Sequence, residues 1–460
     1  MKKKTLYLIA LFIFLGVAFI TQKKPVSPRK HNLILISFDA LQAKHLNKNG
    51  YYLDSTPNLD KFLEQSYFFP EAISPSSWTV PATMSVFTSM YPSEHMVLNK
   101  FSDYNVETKE GVIANLQKLS PAAVTLADIL KKEGYLTAGF TGDAGVGSQF
   151  GFDQGFDVYD DGETFGGFND SMSKALSWLE QNKNKPFFLF VHGYDLHGQS
   201  EPEEGFDYRY VTKPYNGEYT GSKAEQAKLR EDGLAQGYLE MSEEDTGFWR
   251  AIYDEKINNA DAKFKTFMDG INKLGLMDNT VIVLFSDHGT EFYEHKRFDH
   301  GFSLYGELLN VLFAVHQPGQ KQGKTINQLV NTLDMLPTTL NLLGIKNSVP
   351  EQTKGIDLTA AFDGKNLSHE VFSETDYRLY TFKRSLQTPD GWKFILTLEN
   401  GDKELYNLLK DPDEQNNLIK ENPQKGYELE QKLWKHIDSI AGDRNNSQLG
   451  CSPVYGNQCQ

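Results

Sequence analysis

The stretch TVIVLFSDHG, residues 280–289, opens with six residues dominated by β-branched and large apolar side chains and ends in Ser286-Asp287-His288-Gly289. A run of that length and composition reads as a strand buried on both faces, because a strand with one wet face would alternate apolar and polar residues. Two further runs have the same character. NLILISF at 32–38 leads into Asp39, and PFFLFVH at 186–192 ends at His192, five residues ahead of His197. Amphipathic segments lie between these runs. Thr56-Pro57 opens one with a capping hydroxyl and a proline at the first helical position, and Leu59, Phe62 and Leu63 give it an apolar stripe. Leu126, Ile129 and Leu130 mark a second helix, stopped at Gly134 and followed by a strand over 135–141. Apolar residues recur at helical spacing from Trp249 to Leu274, until Gly275, and again over 333–343. Apolar strands alternating with amphipathic helices predict an α/β fold, an α/β/α sandwich with a mainly parallel central sheet. Beyond about residue 365 the texture changes. GWKFILTL at 391–398 and a polar helix near 428–440 predict a small C-terminal antiparallel subdomain.

With 39% hydrophobic and 23% charged residues, the 460-residue chain has the composition of an ordinary globular protein with a large core. Its formal charge of -15 excludes a sequence-independent nucleic-acid binder, which needs a basic face. It leaves room for an anionic substrate, since the charge lining a cleft can oppose the net charge. Lys2, Lys3 and Lys4 precede an uncharged apolar run from Leu6 to Ile20. That run is short for a spanning helix and suits a signal peptide, with an uncleaved membrane anchor as the alternative. Either way the folded part is expected outside the cytoplasm, periplasmic or extracellular. The two cysteines, Cys451 and Cys459, would close a small loop in an oxidising compartment. The expected organisation is a signal or anchor over 1–22, a catalytic domain over 32–364 with a surface insertion at 199–247, the antiparallel subdomain over 365–445, and a tail over 446–460.

In open parallel sheets, ligands bind at the carboxyl ends of the strands. Asp39, the pair His192 and His197, and Asp287-His288 all stand there. Carboxylates with imidazoles and a hydroxyl suit a hard or borderline divalent cation. The hydroxyl comes from SPSSWTVPATMSVFTSMYP, residues 74–92. There Pro81 fits the first turn of a helix and Thr79 stands just before it, where backbone N–H groups and the helix dipole favour an anion. Taken singly, each residue has a plain structural reading: Asp39 as a turn or cap, Asp287-His288 as a tight turn, Thr79 as a helix cap. Only the combination points to chemistry.

Over roughly residues 31–420 the sequence resembles the sulfatase family of the alkaline phosphatase superfamily. The stretches that carry the resemblance come in the family's order: Asp39 with HLNKNGY and TPNLDKF, then SSWTVPATMSVFTSMYP, TLADILKKEGYLTAGF, PFFLFVHGYDLHG, MDNTVIVLFSDHG, HGFSLYGELLNV, NTLDMLPTTLNLLGI, ELYNL and DPDEQNNL. The resemblance implies that Asp39, Asp287 and His288 are metal ligands and that Thr79 is the nucleophile and also touches the metal. It implies that His197 and His300 contact the ester's oxyanion or leaving group. The spacings of His192 to His197 and of His288 to His300 look like those of the superfamily's phosphoethanolamine transferases, where such histidines can hold a second zinc. His192 itself is expected to be a satisfied core histidine on its strand. Asp195, Lys296 and Arg297 are read as loop residues near the site, and His295, His316 and His369 as structural or surface residues.

The chain departs from the family at telling places. Sulfatases carry Cys-x-Pro-x-Arg or Ser-x-Pro-x-Arg, whose first residue becomes formylglycine, but this sequence has Thr79-Val80-Pro81-Ala82-Thr83. Threonine is not a substrate for that conversion, and Thr83 replaces the arginine. Ala40 stands where a second metal carboxylate usually follows the first. The expected function is therefore a metal-dependent ester hydrolase or transferase acting through Thr79, most readily on phosphate or phosphonate mono- or diesters. The cofactor would be one of Ca, Mg, Mn or Zn and the partner an anionic ester. The alternatives are a sulfuric ester hydrolase working without formylglycine and, in another class, an inactive relative that binds a sulfated or phosphorylated polymer.

Overall fold

The computed structural model describes residues 30–98, 100, 105–107, 113–115, 118–198 and 206–446. The apolar runs form the strands they predict. In chain order they are β1 (Asn32–Phe38), β2 (Tyr67–Phe68), β3 (Leu136–Gly142), β4 (Val158–Glu163), β5 (Phe187–Gly193), β6 (Thr280–Phe285), β7 (Phe313–His316) and β8 (Lys324–Thr325). They make one eight-stranded sheet in the order β8-β2-β7-β6-β1-β5-β3-β4. The strands from β6 to β4 run parallel, and β7 is antiparallel to β6 and β2.

Alternation along the central strands builds two cores. On one face Leu33, Leu35, Phe188, Phe190, Val281 and Val283 pack with α2 (Thr79–Thr88), α3 (Leu126–Lys132) and α7 (Met335–Leu342). On the other, Ile34, Ile36, Leu189, Val191, Ile282 and Leu284 pack with α1 (Pro57–Leu63), α4 (Phe168–Asn182) and α6 (Glu243–Lys273). Helices on both faces of a mainly parallel sheet give the expected α/β/α sandwich.

One local expectation fails for a physical reason. Thr56 does not cap α1, because its hydroxyl binds Asn47 and Asp60 instead. The free N–H groups of Asn58 and Leu59 are met by the carboxylate of Asp261 on α6, a cap supplied from more than 200 residues away. The segment expected to be a surface insertion also carries regular structure. Residues 206–247 include α5 (Lys223–Gln236), capped by Ser222, and the first turn of α6, capped by Ser242. The helical period of α5 is faint because its buried face holds Gln226 and Gly233 beside Leu229 and Leu234.

Four antiparallel strands, β9 (Val371–Thr375), β10 (Lys383–Gln387), β11 (Trp392–Thr397) and β12 (Lys403–Asn407), follow as a meander. One face packs Leu386, Phe394 and Leu405 against Leu429 and Leu433 of α8 (Pro423–Asn446). The other puts Val371, Ile395 and Tyr406 against Leu304, Leu309 and Ile73 of the main body. Among the described residues no helix is long and apolar enough to cross a membrane. The apolar run at 6–20, Cys451 and Cys459 lie outside the described residues.

Candidate active site

Parallel register brings the chemistry together. Ser37 of β1 stands opposite His192 of β5 and Phe285 of β6, so the residues just beyond these strands meet at one edge. The Asp39 amide bonds the Gly193 carbonyl at 3.3 Å. Ala40 then takes the left-handed conformation (φ 60°), which costs a residue with a Cβ about 1–2 kcal/mol. The turn directs the Ala40 N–H onto Asp287 Oδ1 at 3.1 Å, and the Tyr253 hydroxyl holds the Ala40 carbonyl at 2.7 Å. At the position of the family's second carboxylate, this chain thus offers a backbone donor to Asp287.

Thr79 is the first residue of α2 and not, as the sequence implies, the residue before it; Trp78 is the cap, with an extended backbone and no capping side chain. The first-turn N–H groups lack partners within the helix. The Thr79 hydroxyl lies 3.3 Å from Asp39 Oδ2 and 3.2 Å from His288 Nε2. His288 Nδ1 donates to the Gly289 carbonyl at 2.7 Å, which fixes the tautomer and turns the Nε2 lone pair toward Thr79. Thr83, in the place of the family's arginine, reaches Asp287 Oδ2 at 3.5 Å. Gly145 admits Thr79 closely: a Cβ there would sit 2.9 Å from Thr79 Cγ2 and 3.2 Å from the Tyr194 hydroxyl.

His192 corrects the sequence reading. It is fully buried but not satisfied: Nδ1 has no hydrogen-bond partner among the described residues, and Nε2 faces Asp39 Oδ2 at 3.3 Å. Asp39, His192 and Asp287 each present a ligand atom within 4.8 Å of the others, and Asp39 Oδ1 is a buried, unpartnered oxygen. Two carboxylates and an imidazole with buried lone pairs left open are a donor set that fits a divalent cation. The signal was present in the sequence. Period-two alternation puts His192 on the same face of β5 as Phe188 and Phe190, the face that α2 covers.

The two remaining candidates join this cluster through His288. The His300 ring lies 4.4 Å from that of His288 and 5.0 Å from that of His197. Asp195, Lys296 and Arg297 do not join it. Asp195 binds Lys263 and the Phe168 amide, the Lys296 carbonyl accepts from Leu239, and Arg297 lies over the Phe302 ring. Lys100 does belong, and no sequence pattern pointed to it. Its ammonium donates to the Ala144 carbonyl at 2.9 Å, close enough to feel the charges of Asp39 and Asp143.

Burial dominates the electrostatics. It pushes Asp287 above the usual carboxylate range, with the charge of Asp39 adding to the effect. Burial works the same way on Asp39, but the His192 contact and the charges of His197, His192 and His288 outweigh it and hold that carboxyl low. His197 is driven down to about 3, and His288 and Lys100 are lowered, each mainly by desolvation. The site therefore keeps one firmly ionised carboxylate, Asp39, beside the neutral imidazoles of His197 and His288, and a metal ligand set requires deprotonated donors of this kind.

A second acidic group, Glu291, His295 and Glu307, is built differently. His295 Nδ1 lies 2.7 Å from Glu307 and Nε2 lies 3.1 Å from the Glu414 carbonyl, so both ring nitrogens are engaged. Burial opposes its charge, but Glu307 and Glu291 push it up to about 9. It reads as an ion-paired junction with the C-terminal subdomain, consistent with the structural role expected of His295.

A buried hydroxyl at a helix start, facing carboxylates and imidazoles at the carboxyl edge of an alkaline phosphatase-like sheet, defines an ester-hydrolysing enzyme. The family model described as Sulfatase matches residues 31–345, and that described as N-sulphoglucosamine sulphohydrolase, C-terminal, matches residues 293–443. The chain belongs to the sulfatase family. It is 21% identical over 448 residues to an arylsulfatase of Clostridium perfringens, covering 85% of this chain and 90% of that protein. Among solved structures it resembles a protein in complex with its substrate D-glucosamine-2-N,6-O-disulfate (TM-score 0.69, 18% identity, 91% of this chain and 100% of that one). It is equally similar to the phosphonate monoester hydrolase of Agrobacterium radiobacter (TM-score 0.69, 18% identity, 89% and 96%).

Proposed function

We propose that this enzyme cleaves phosphate or phosphonate mono- or diesters through Thr79 as an unmodified nucleophile, with a divalent cation held by Asp39, Asp287 and His288. His192 joins that ligand set on the geometry described above. The observation that carries the reading is the Thr79 hydroxyl, buried at the first turn of α2 within 3.3 Å of both Asp39 and His288. When bound, the cation supplies positive charge that lowers the hydroxyl's pKa and offsets charge on the nonbridging oxygens. The Thr79 O–H bond breaks with its proton passing to a solvent water, Asp39 and His288 holding the oxygen in place, and Oγ1 bonds to phosphorus. The bond from phosphorus to the leaving oxygen breaks, and that oxygen takes a proton from His300, with His197 beside it. Water then attacks phosphorus and returns a proton to His300, while Thr79 departs and takes up a proton from solvent. A second alcohol in place of water makes the same enzyme a transferase.

The preference for phosphorus rests on the chemistry of the intermediate. A formylglycine hydrate expels sulfate through its second hydroxyl, without attack at sulfur. A threonine ester lacks that exit and must be opened by in-line attack, a route well suited to phosphorus. A second reading, hydrolysis of sulfuric esters without formylglycine, is favoured by the similarity to the Clostridium perfringens arylsulfatase and to the disulfate complex. Matched aryl phosphate, phosphodiester, phosphonate and sulfate esters, assayed with several divalent cations, decide between them; a clear preference for sulfate overturns the first reading. The basic start and the apolar run at 6–20 support a periplasmic or extracellular location, and active protein in a cytoplasmic fraction would contradict it.

A further inference from the structure

The segment around His300 is held in an unusual way. Asp299, which carries a Cβ, adopts φ 82°, and Gly301 adopts φ 97°. Two left-handed residues flank the histidine, and backbone strain of this kind persists only where the surroundings enforce it. Gly301 is required here because a Cβ would sit 2.4 Å from the Tyr377 ring, and the Gly301 carbonyl is pinned by Thr375 Oγ1 at 2.6 Å. The conformation brings Asp299 Oδ1 into ion-pair contact with His300 Nδ1, a contact of charge and proximity and not an aligned hydrogen bond. With Nδ1 so engaged, Nε2 is the nitrogen left for the reacting centre, where the rings of His288 and His197 lie.

The other carboxylate oxygen of Asp299 is met from the 199–247 segment. Arg230, on α5, places Nη1 3.4 Å from Asp299 Oδ2, with the arginine side chain 13% and the aspartate 1% exposed. The rest of the guanidinium is fixed by Glu231, whose Oε1 lies 3.2 Å from Nε and 3.1 Å from Nη2. Glu231 in turn accepts from Arg378 Nη1 of the C-terminal subdomain at 2.8 Å. A chain of charges thus runs from Arg378 through Glu231, Arg230 and Asp299 to His300.

We infer that Arg230 is a positioning residue: through Asp299 it fixes the orientation of the His300 ring, so that Nε2 delivers its proton to the leaving oxygen as the phosphorus–oxygen bond breaks. This rests on the proposed role of His300. Arg230 meets His300 only through Asp299, so its effect must depend on how much the leaving group needs a proton. Para-nitrophenolate departs with little help, whereas an alkoxide departs with much.

The test compares para-nitrophenyl phosphate with an alkyl phosphate in the metal-loaded full-length enzyme. Arg230→Gln is expected to lower kcat on the alkyl ester about 10- to 100-fold, part of the 10²–10⁴ that a general acid supplies. On the nitrophenyl ester the loss should stay within about threefold, with KM little changed on both. Asp299→Asn should show the same split, and the double variant should lose little more, because the two residues act in series. A loss equal on both esters, or one confined to KM, overturns the inference and leaves Arg230 as an anchor of α5 or a substrate contact. Should Arg230→Gln fail to fold, Arg230→Lys is read in the same way: a smaller split of the same sense supports the inference and a uniform loss overturns it. His300→Gln in the same panel separates the two ideas. If it shows the split and the arginine variants do not, only the inference fails. If His300→Gln shows no split, the role of His300 fails, and the inference with it.

Discussion

Replacing Thr79 with alanine removes two things whose consequences are of very different size. The Cγ2 methyl is buried against Gly145, and deleting one buried methyl costs about 0.8 kcal/mol before any cavity term. Loss of the hydroxyl removes one hydrogen bond to Asp39, worth about 1 kcal/mol net, and Asp39 Oδ2 keeps its His192 contact. Folding should weaken by only about 1–3 kcal/mol, a shift of a few degrees in Tm. Catalysis should suffer far more, because the hydroxyl that contacts both Asp39 and His288 is the proposed nucleophile itself. A loss of about 4 kcal/mol or more of barrier, roughly a thousandfold in kcat, is expected at 1.36 kcal/mol per decade. Thr79→Ser keeps the oxygen but loses the methyl that Gly145 packs against, so its hydroxyl is free to rotate; about 10- to 100-fold is expected. The assay is kcat on an aryl phosphate at saturating divalent cation, beside Tm for each variant. A folded Thr79→Ala enzyme that retains more than about a tenth of wild-type kcat would refute the reasoning.

Exhaustive chelation should abolish activity and lower Tm, and adding back the cation should restore both. A cation at 100 times its dissociation constant contributes about 2.7 kcal/mol, and Asp39→Asn or Asp287→Asn should lose that gain. Gly145→Ala forces a Cβ to within 2.9 Å of Thr79 Cγ2, so kcat should fall about tenfold with KM little changed if the hydroxyl is displaced. Glu291 is pushed up to about 8 by burial, with Glu307 and Glu294 adding to the effect. Its folded-state pKa is raised, so its contribution to stability is complete below its ordinary pKa and is lost as pH rises toward 8. Glu291→Gln keeps an oxygen for the His295 and Arg297 amides. Chemical denaturation across that window should show the variant losing less stability than the wild type, with a limit of about 1.4 kcal/mol per pH unit.

The sequence announced what repeats and hid what converges. β1 and β6 occupy the very residues of their apolar runs, because a strand covered on both faces needs every position apolar. Asp39, Asp287 and His288 were legible for the same reason: each follows the end of such a run. His192 reads as a core residue because it stands inside an apolar strand, and only the register against Ser37 places it beside Asp39. Lys100 lies in a stretch without period. Arg230 sits on a helix whose buried face is half polar, and its link to Asp299 spans 69 residues. Contacts of that kind arise from tertiary packing and leave no local trace. The cap of α1 by Asp261 was hidden for the same reason.

The claim at the centre of this account is that residue 79 is an ordinary threonine that carries the transferred group during turnover. Its most direct test is the mass of the peptide containing Thr79, taken from the resting enzyme and again after acid quenching during turnover of an aryl phosphate. The account predicts unmodified threonine at rest and a phosphoryl group on Thr79 in the quenched sample. An oxidised residue at position 79, or a phosphoryl group that accumulates on another residue, would contradict it.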